Sequence, residues 1–442
     1  MFDNVEKKLM PVAEKLGNNR VLIAIRDGFL ITTPLIIVAS IFLLLTNFPI
    51  TGWDAFWANI FGPNWASWLN NVTRAVFNMV GFFACLGTGY AYGRQLKVDA
   101  IQAGVVSVVA YLILTPTIIE VKGNDPLDAL DFEYLGTNGI FLGLVVSILA
   151  VLLYAYVYNK GWTIKMPAGV PPAVTKSFEA LIPSGVVMIV FFLVRIIFGF
   201  TSYEIAHNFI FEILQTPLSG VGNTLSAQIV YELVCTIFWF FGINGPAVAN
   251  SVFAPITKVL TMENLDAFNA GKTLPNIFTD PFSNFFTNFG GGGSTLSLVL
   301  IMVFFCKSKR IKQLGQLSLV PGIFGINEPI IFGLPIVLNP IIIIPFILTP
   351  LVNLLLSTLV TKLNIIPYTT GVSLPWTMPI GFSGYLSTGS LVAALWQLIL
   401  LALGCLIYYP FIKALDRQYL QEEAEAQAKE TDTDQDIDFD EV

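Results

Sequence analysis

Ten apolar runs distributed along the whole chain constrain its fold more than any other feature. They lie near residues 28–47, 75–92, 100–116, 139–158, 180–200, 224–243, 246–262, 294–306, 336–360 and 389–411. About 20 apolar residues let an α-helix cross a hydrocarbon core roughly 30 Å thick. A helix also satisfies its own backbone polar groups where no water can. Composition supports the same reading: of 442 residues, 55% are hydrophobic and 12% charged, against about 25% charged in a soluble domain. Mean hydropathy is +0.72. A soluble enzyme, a disordered chain and a nucleic-acid binder are excluded, and the net charge of −7 would itself repel phosphates. The expected fold is an all-α polytopic membrane protein with about ten transmembrane helices.

Basic residues orient the spans, because Lys and Arg collect in cytoplasmic loops. With ten spans and a cytoplasmic start, the inner segments hold 17 of the 23 basic residues, including the cluster Lys307, Lys309, Arg310 and Lys312. The outer loops keep only Lys122, Lys272 and Lys362, and Arg74, Arg195 and Lys258 fall near outer span ends. The run 246–262 carries Pro246, Pro255 and Lys258. It must still cross, or the 307–312 cluster lands on the wrong face. This predicts a multi-pass membrane protein with both termini cytoplasmic. Residues 1–27 read as a polar cytoplasmic segment, with a short amphipathic helix expected within 1–20. Residues 28–223 read as an N-terminal transmembrane domain, 224–388 as a C-terminal transport domain, 389–411 as the last span and 412–442 as an acidic cytoplasmic tail. Residues 421–442 have almost no core-forming side chains and read as disordered.

Two segments do not fit simple spans. Residues 276–293 are apolar and aromatic but interrupted by Asp280, Pro281 and the run Gly290 to Gly293; residues 314–335 are interrupted by Pro321, Gly322, Gly325, Pro329 and Gly333. Irregular backbone at membrane depth survives where protein or a wet cavity satisfies it. Both read as re-entrant hairpins, entering from opposite sides, a pattern that marks transporter binding sites. Kinked helices or interfacial loops are the competing reading.

Carboxylates inside apolar segments are costly and default to functional candidates. Glu328 follows Gly325, Ile326 and Asn327 at the tip of the second hairpin and precedes Pro329. It is placed either to accept sugar hydroxyls and take a proton, or to cap backbone donors of its own hairpin. Glu232 lies mid-helix in the sixth span, where it either contacts substrate or pairs with Arg195 or Lys258. Asn244, between Gly242 and Gly245, can donate and accept, as a ligand contact or as a helix cap. Gly291, Gly292, Gly293 and Ser294 open a helix and offer bare N–H groups to an oxygen-rich ligand; a phosphate loop would need a Gly-Lys-Ser/Thr ending. Trp239, Phe240, Phe241, Phe282, Phe285, Phe286, Trp376 and Tyr385 could offer flat faces to a sugar ring, although aromatics near span ends more often belong to interface belts. Cys85, Cys235, Cys306 and Cys405 lie in separate apolar stretches, and His207 stands alone. No metal site or cofactor is expected.

The stretch Gly325-Ile326-Asn327-Glu328-Pro329-Ile330-Ile331-Phe332-Gly333 resembles the hallmark motif of enzyme IIC, the sugar-translocating membrane subunit of the bacterial phosphoenolpyruvate-dependent phosphotransferase system. The lactose/cellobiose/diacetylchitobiose branch is the most similar, and the resemblance extends along essentially the whole chain. It implies a disaccharide substrate bound in the C-terminal half, a homodimer formed through the N-terminal half, and a phosphorylated IIB protein that donates its phosphate on the cytoplasmic side. Glu328 then matches the family's essential glutamate, and the catalytic candidates are Glu328 and Asn244. Asn327, Glu328, Asn244, Gly245, Gly291, Gly292, Gly293, Ser294, Trp239, Glu232 and Trp376 are expected around the sugar. With no cysteine-bearing domain after the acidic tail, IIB is expected to be a separate polypeptide. One departure stands out: the family commonly has Gly-Ile/Val-His-Gly where this chain has Gly242, Ile243, Asn244 and Gly245. Asparagine can hydrogen-bond a hydroxyl but cannot shuttle a proton. The alternatives are retained turnover, altered substrate preference, or binding with impaired phosphorylation. An ion-coupled secondary sugar transporter using Glu232 and Glu328 is the competing function class, and an enzyme acting on a lipid-linked sugar is a third.

Overall fold

The computed structural model describes residues 19–46, 48, 52–119, 125–167, 169–242, 244–334, 336, 339 and 341–437. The helix expected within 1–20 lies outside them but for its last two residues. Among the described residues the fold is all-α but for one short antiparallel ladder pairing Ile118–Ile119 with Leu127–Asp128. Every one of the ten apolar runs contains a helix. Their lengths differ more than hydropathy suggests. Among the described residues, five helices are individually long and apolar enough to cross a membrane: Arg20–Thr46, Thr137–Asn159, Pro172–Gly199, Ile343–Lys362 and Leu391–Glu425. Two further helix pairs are long and apolar enough only when taken together, Trp65–Phe77 with Val80–Gln95 and Ala206–Gly222 with Leu225–Phe240, bent by 43° and 75°. The other runs are shortened or diluted by glycine, proline and polar residues: Ala100–Leu114 has 15 residues and Leu296–Phe304 only nine.

The chain divides into two compact units. One runs to Thr224 and adds Val248–Thr279 and Thr370–Ser373; the other takes Leu225–Ala247, Asp280–Thr369 and the chain from Leu374 onward.

In the first unit, helix Val80–Gln95 packs against Arg20–Thr46, Ala100–Leu114 and Ile140–Asn159. Small residues bring the backbones together, as is usual where lipid removes the hydrophobic drive between helices. A methyl group at Gly87 would lie 2.5 Å from the Gly28 carbonyl oxygen. Tyr111 and Tyr154 fill the buried centre. Asp99 caps Ala100–Leu114 by accepting from the Ile101 and Gln102 N–H groups, both at 3.1 Å. The later insert joins this unit through Thr137 Oγ1 donating to Asp266 at 3.0 Å and Asn223 Nδ2 donating to Asn276 Oδ1 at 2.9 Å. His207 is buried, with Nε2 3.0 Å from Thr115 Oγ1. Among the described residues no group of His, Cys, Asp and Glu could hold a metal ion.

The second unit is centred on Leu298, Met302, Ile331, Phe346 and Tyr408. Both interrupted segments are helix–turn–helix. The first joins the seven-residue helix Asp280–Phe286 through the glycine tract to Leu296–Phe304. The second joins Lys309–Ile323 to the six-residue helix Glu328–Gly333, and the arms fold together where Leu314 meets Gly333. The chain closes with a continuous helix, Leu391–Ile437. Its 47 residues extend about 70 Å at 1.5 Å per residue. The expectation of disorder from residue 421 therefore gives way to helix as far as Ile437. Residues 421–430 are mostly Glu, Ala, Gln and Lys, strong helix formers that need no core once a preceding helix has nucleated them.

Candidate functional site

The glycine turn of the first interrupted segment has backbone angles that few side chains allow. Gly290, Gly291 and Gly293 have φ of +74°, +88° and +81°, where glycine is unstrained. Each carbonyl of the tract is tied down. That of Gly290 accepts from Thr295 Oγ1 at 2.6 Å, Gly291 from the Ser294 N–H at 3.0 Å, Gly292 from Asn327 Nδ2 at 2.8 Å and Gly293 from Tyr408 Oη at 2.6 Å. No described hydrogen bond uses the four glycine N–H groups. The loop thus commits its acceptors to the protein and keeps its donors.

The tip of the second hairpin abuts this loop. A side chain at Gly291 would meet Asn327 Cγ at 2.6 Å and the Gly325 carbonyl at 2.7 Å, and one at Gly292 would meet Trp239 Nε1 at 3.2 Å. The Trp376 indole lies against Gly325, and 59% of Trp376 is exposed. Trp239 is buried, and its Nε1–H has no partner among the described residues. Asn327 precedes the Glu328–Gly333 helix, but its amide is spent on Gly292. Glu328 is exposed and accepts no hydrogen bond among the described residues. Self-capping by Glu328 is therefore not what the structure shows: the carboxylate follows the Asn327 that reaches the loop, and its acceptor capacity is open.

Asn244 is exposed, and its Oδ1 accepts from the Ala247 N–H at 3.0 Å, which caps the start of Gly245–Asn269. The capping alternative is thus realised at Oδ1, and the amide Nδ2 has no described partner. Pro246 in the same turn approaches Gly292. Three of the expected residues also have a packing role. A side chain at Gly245 would run into the Cys235 carbonyl, and one at Gly293 into the Phe346 ring. Ser294 is buried, and its Oγ accepts from the Phe289 N–H at 3.0 Å and Asn353 Nδ2 at 3.2 Å.

Glu232 stands two helical turns before Trp239 on the same helix and is buried. Its carboxylate accepts from Thr287 Oγ1 at 2.8 Å and from Asn288 Nδ2 at 2.9 and 3.1 Å. It grips the residues just before the glycine tract. Arg195 is not its partner: that guanidinium donates to the Leu114 carbonyl at 2.9 Å in the first unit. Burial of a carboxylate is tolerable here because both oxygens are hydrogen-bonded.

Several residues outside the expected set hold the loop in shape. Asn353 donates to the Thr287 carbonyl at 3.0 Å, Ser357 to the Phe286 carbonyl at 3.0 Å and Gln397 to the Phe285 carbonyl at 2.7 Å. The signal was present, since Asn353 and Gln397 interrupt the apolar runs 336–360 and 389–411, and polar side chains in such runs rarely lack a task.

Comparison with known proteins places this arrangement. A family model described as "Phosphotransferase system, EIIC" matches residues 26–350. The PTS system oligo-beta-mannoside-specific EIIC component of Bacillus subtilis (strain 168) is 39% identical over 425 residues, spanning 96% of each chain. The PTS system cellobiose-specific EIIC component of Geobacillus stearothermophilus is 37% identical over 433 residues, 95% of each chain. The crystal structure of ChbC, the IIC component from the N,N'-diacetylchitobiose-specific phosphotransferase system, matches with a TM-score of 0.92 at 38% identity. That match covers 95% of this chain and 99% of the other.

Proposed function

The chain belongs to the phosphotransferase system EIIC family, and from that premise we propose that it imports a β-linked, cellobiose-like disaccharide and presents it for phosphorylation by a separate IIB protein. One observation carries the reading: the exposed, unpartnered Glu328 carboxylate sits at a hairpin tip fastened to a donor-rich glycine loop, with Trp239 and Trp376 beside it. A sugar offers hydroxyls that both donate and accept and ring faces that pack on indoles. Glu328 accepts from a hydroxyl, while the Trp239 Nε1–H and the loop N–H groups supply donors. Relatives named for oligo-β-mannosides, cellobiose and N,N'-diacetylchitobiose support a β-linked disaccharide.

In the phosphorylating step the phosphorus leaves the IIB cysteine sulfur and bonds to the sugar oxygen. The hydroxyl proton passes to Glu328, whose role as base needs only hydrogen-bond reach. Asn244 orients the hydroxyl with its free Nδ2–H and takes no proton. Gly291 and Gly292 shape the loop face toward the sugar, and Glu232 fixes the loop from behind. The N-terminal unit serves as the scaffold and homodimer surface, the units move relative to one another during transport, and both termini are cytoplasmic.

Membranes carrying this chain, supplied with phosphoenolpyruvate, the general phosphotransferase proteins and a matched IIA and IIB pair, should convert labelled cellobiose or a related β-disaccharide to its phosphate. No product from any β-disaccharide, with uptake abolished by an uncoupler, would replace this reading with an ion-coupled transporter.

A further inference from the structure

The helix beyond the last span meets the base of the second hairpin through two carboxylates. Helix Lys309–Ile323 begins just after Ser308, and the first N–H groups of a helix have no partner within it. Here five successive N–H groups find one. Asp416 accepts from Lys307 at 3.0 Å and from Ser308 at 2.9 Å. Glu423 accepts from Lys309 at 3.3 Å and from Arg310 at 3.1 Å, and Ser308 Oγ accepts from Ile311 at 3.4 Å. Ser308 Oγ in turn donates to Glu423 at 2.7 Å.

The seven-residue spacing puts Asp416 and Glu423 on one face, two turns apart. Between them the Tyr419 ring carries the Arg310 guanidinium 4.6 Å from its centroid. Asp416 and Ser308 are fully buried. Lys413 donates to Asp416 at 2.6 Å and to the Phe305 carbonyl at 3.2 Å, which ties the end of Leu296–Phe304 into the same cluster. Negative groups at a helix start are also favoured by the helix dipole.

We infer that Asp416 and Glu423 are positioning residues for the sugar site: they clamp the base of the hairpin whose tip carries Asn327 and Glu328. The inference rests on the proposed disaccharide site. The arm Lys309–Ile323 has 15 residues and so spans about 22 Å as one rigid rod. It is fastened at its base by the clamp and at its tip by Asn327 on Gly292. Released at the base, the rod is held by the Asn327–Gly292 bond alone, so its motion loads that single bond and loosens the tip that carries Glu328. The acidic extension is thus a strut of the binding site up to Glu423.

The test compares wild type, Glu423→Gln, Asp416→Asn and the double variant as full chains in lipid nanodiscs, with a chain ended after Glu425 as control. Hydrogen exchange is followed for residues 322–334, alongside disaccharide KM and kcat in the reconstituted phosphorylation assay. The expected result is faster exchange at the tip, unchanged exchange over residues 80–114, and KM raised about tenfold, as for one lost charge-assisted hydrogen bond. The control should match wild type. A smaller folded fraction would lower apparent kcat and leave KM alone, so that pattern, or unchanged tip exchange, overturns the inference. Should Asp416→Asn fail to fold, Glu423→Gln, at a partly exposed position, decides on the same readouts. Should the wild type bind no disaccharide, the disaccharide reading fails, and tip exchange alone decides the clamp.

Discussion

Replacing Gly291 by alanine tests the meeting of loop and hairpin most directly. The new methyl group would lie 2.6 Å from Asn327 Cγ and 2.7 Å from the Gly325 carbonyl oxygen, on a backbone with φ of +88°. A left-handed conformation costs a non-glycine residue about 1–2 kcal/mol. Asn327 can move aside only by giving up its bond to Gly292, worth about 1 kcal/mol. The Gly325 carbonyl is backbone and gives way only if the tip shifts. Together these amount to about 3 kcal/mol, or roughly a hundredfold in disaccharide affinity if the displaced tip is where the cost falls. Gly292→Ala is the internal control. Its methyl would meet the edge of the Trp239 indole, Nε1 at 3.2 Å and Cδ1 at 3.3 Å, and Pro246 at an ordinary 3.8 Å, and Gly292 is not among the glycines with positive φ, so about 1 kcal/mol is expected. Isothermal titration calorimetry in nanodiscs, with a thermal melt of each variant, measures both. Equal affinities for Gly291→Ala and wild type, or equal losses for the two alanines, would refute the geometry.

Glu328→Gln should abolish phosphorylation by at least about a hundredfold, the usual weight of a general base, and weaken binding because the amide donates where the carboxylate accepts; unchanged turnover would remove Glu328 from the chemistry. Asn244→His should raise turnover if imidazole chemistry is required, and equal rates in both forms would show that a hydrogen bond suffices. Glu232→Ala removes the carboxylate that Thr287 Oγ1 and Asn288 Nδ2 share, leaving them only the Ser283 carbonyl and the Thr287 hydroxyl, so a loss of about 1–3 kcal/mol is expected, read as a lower melting temperature together with weaker sugar binding. In the first unit, Gly87→Ala drives a methyl against the Gly28 carbonyl and should lower thermal stability by about 1–3 kcal/mol with disaccharide affinity of the surviving protein unchanged.

The parts of this site that could be read beforehand share a local cause. Gly325 and Pro329 around Asn327 and Glu328 announce a broken helix, and consecutive glycines announce positive φ; both turns occur where those residues stand. What could not be read depends on partners distant in sequence. Nothing near Gly293 announces that Tyr408, 115 positions later, donates to its carbonyl. Arg195 and Glu232 were natural partners on charge alone, yet each found another group nearby: a carbonyl freed at the end of Ala100–Leu114, and the hydroxyl and amide of Thr287 and Asn288. Low hydrophobicity past residue 421 says only that nothing packs there; continuity with a nucleated helix and strong helix formers are enough to carry the helix to Ile437.

Leu296–Phe304 is the shortest of the helices lying within the ten apolar runs, and it stands between two very different surroundings. At one end are the loop that holds the donors and at the other Lys307 and the basic cluster. Nine residues measure about 14 Å, under half of a bilayer core. Along this line the insulating layer between the loop and charged groups is correspondingly thin.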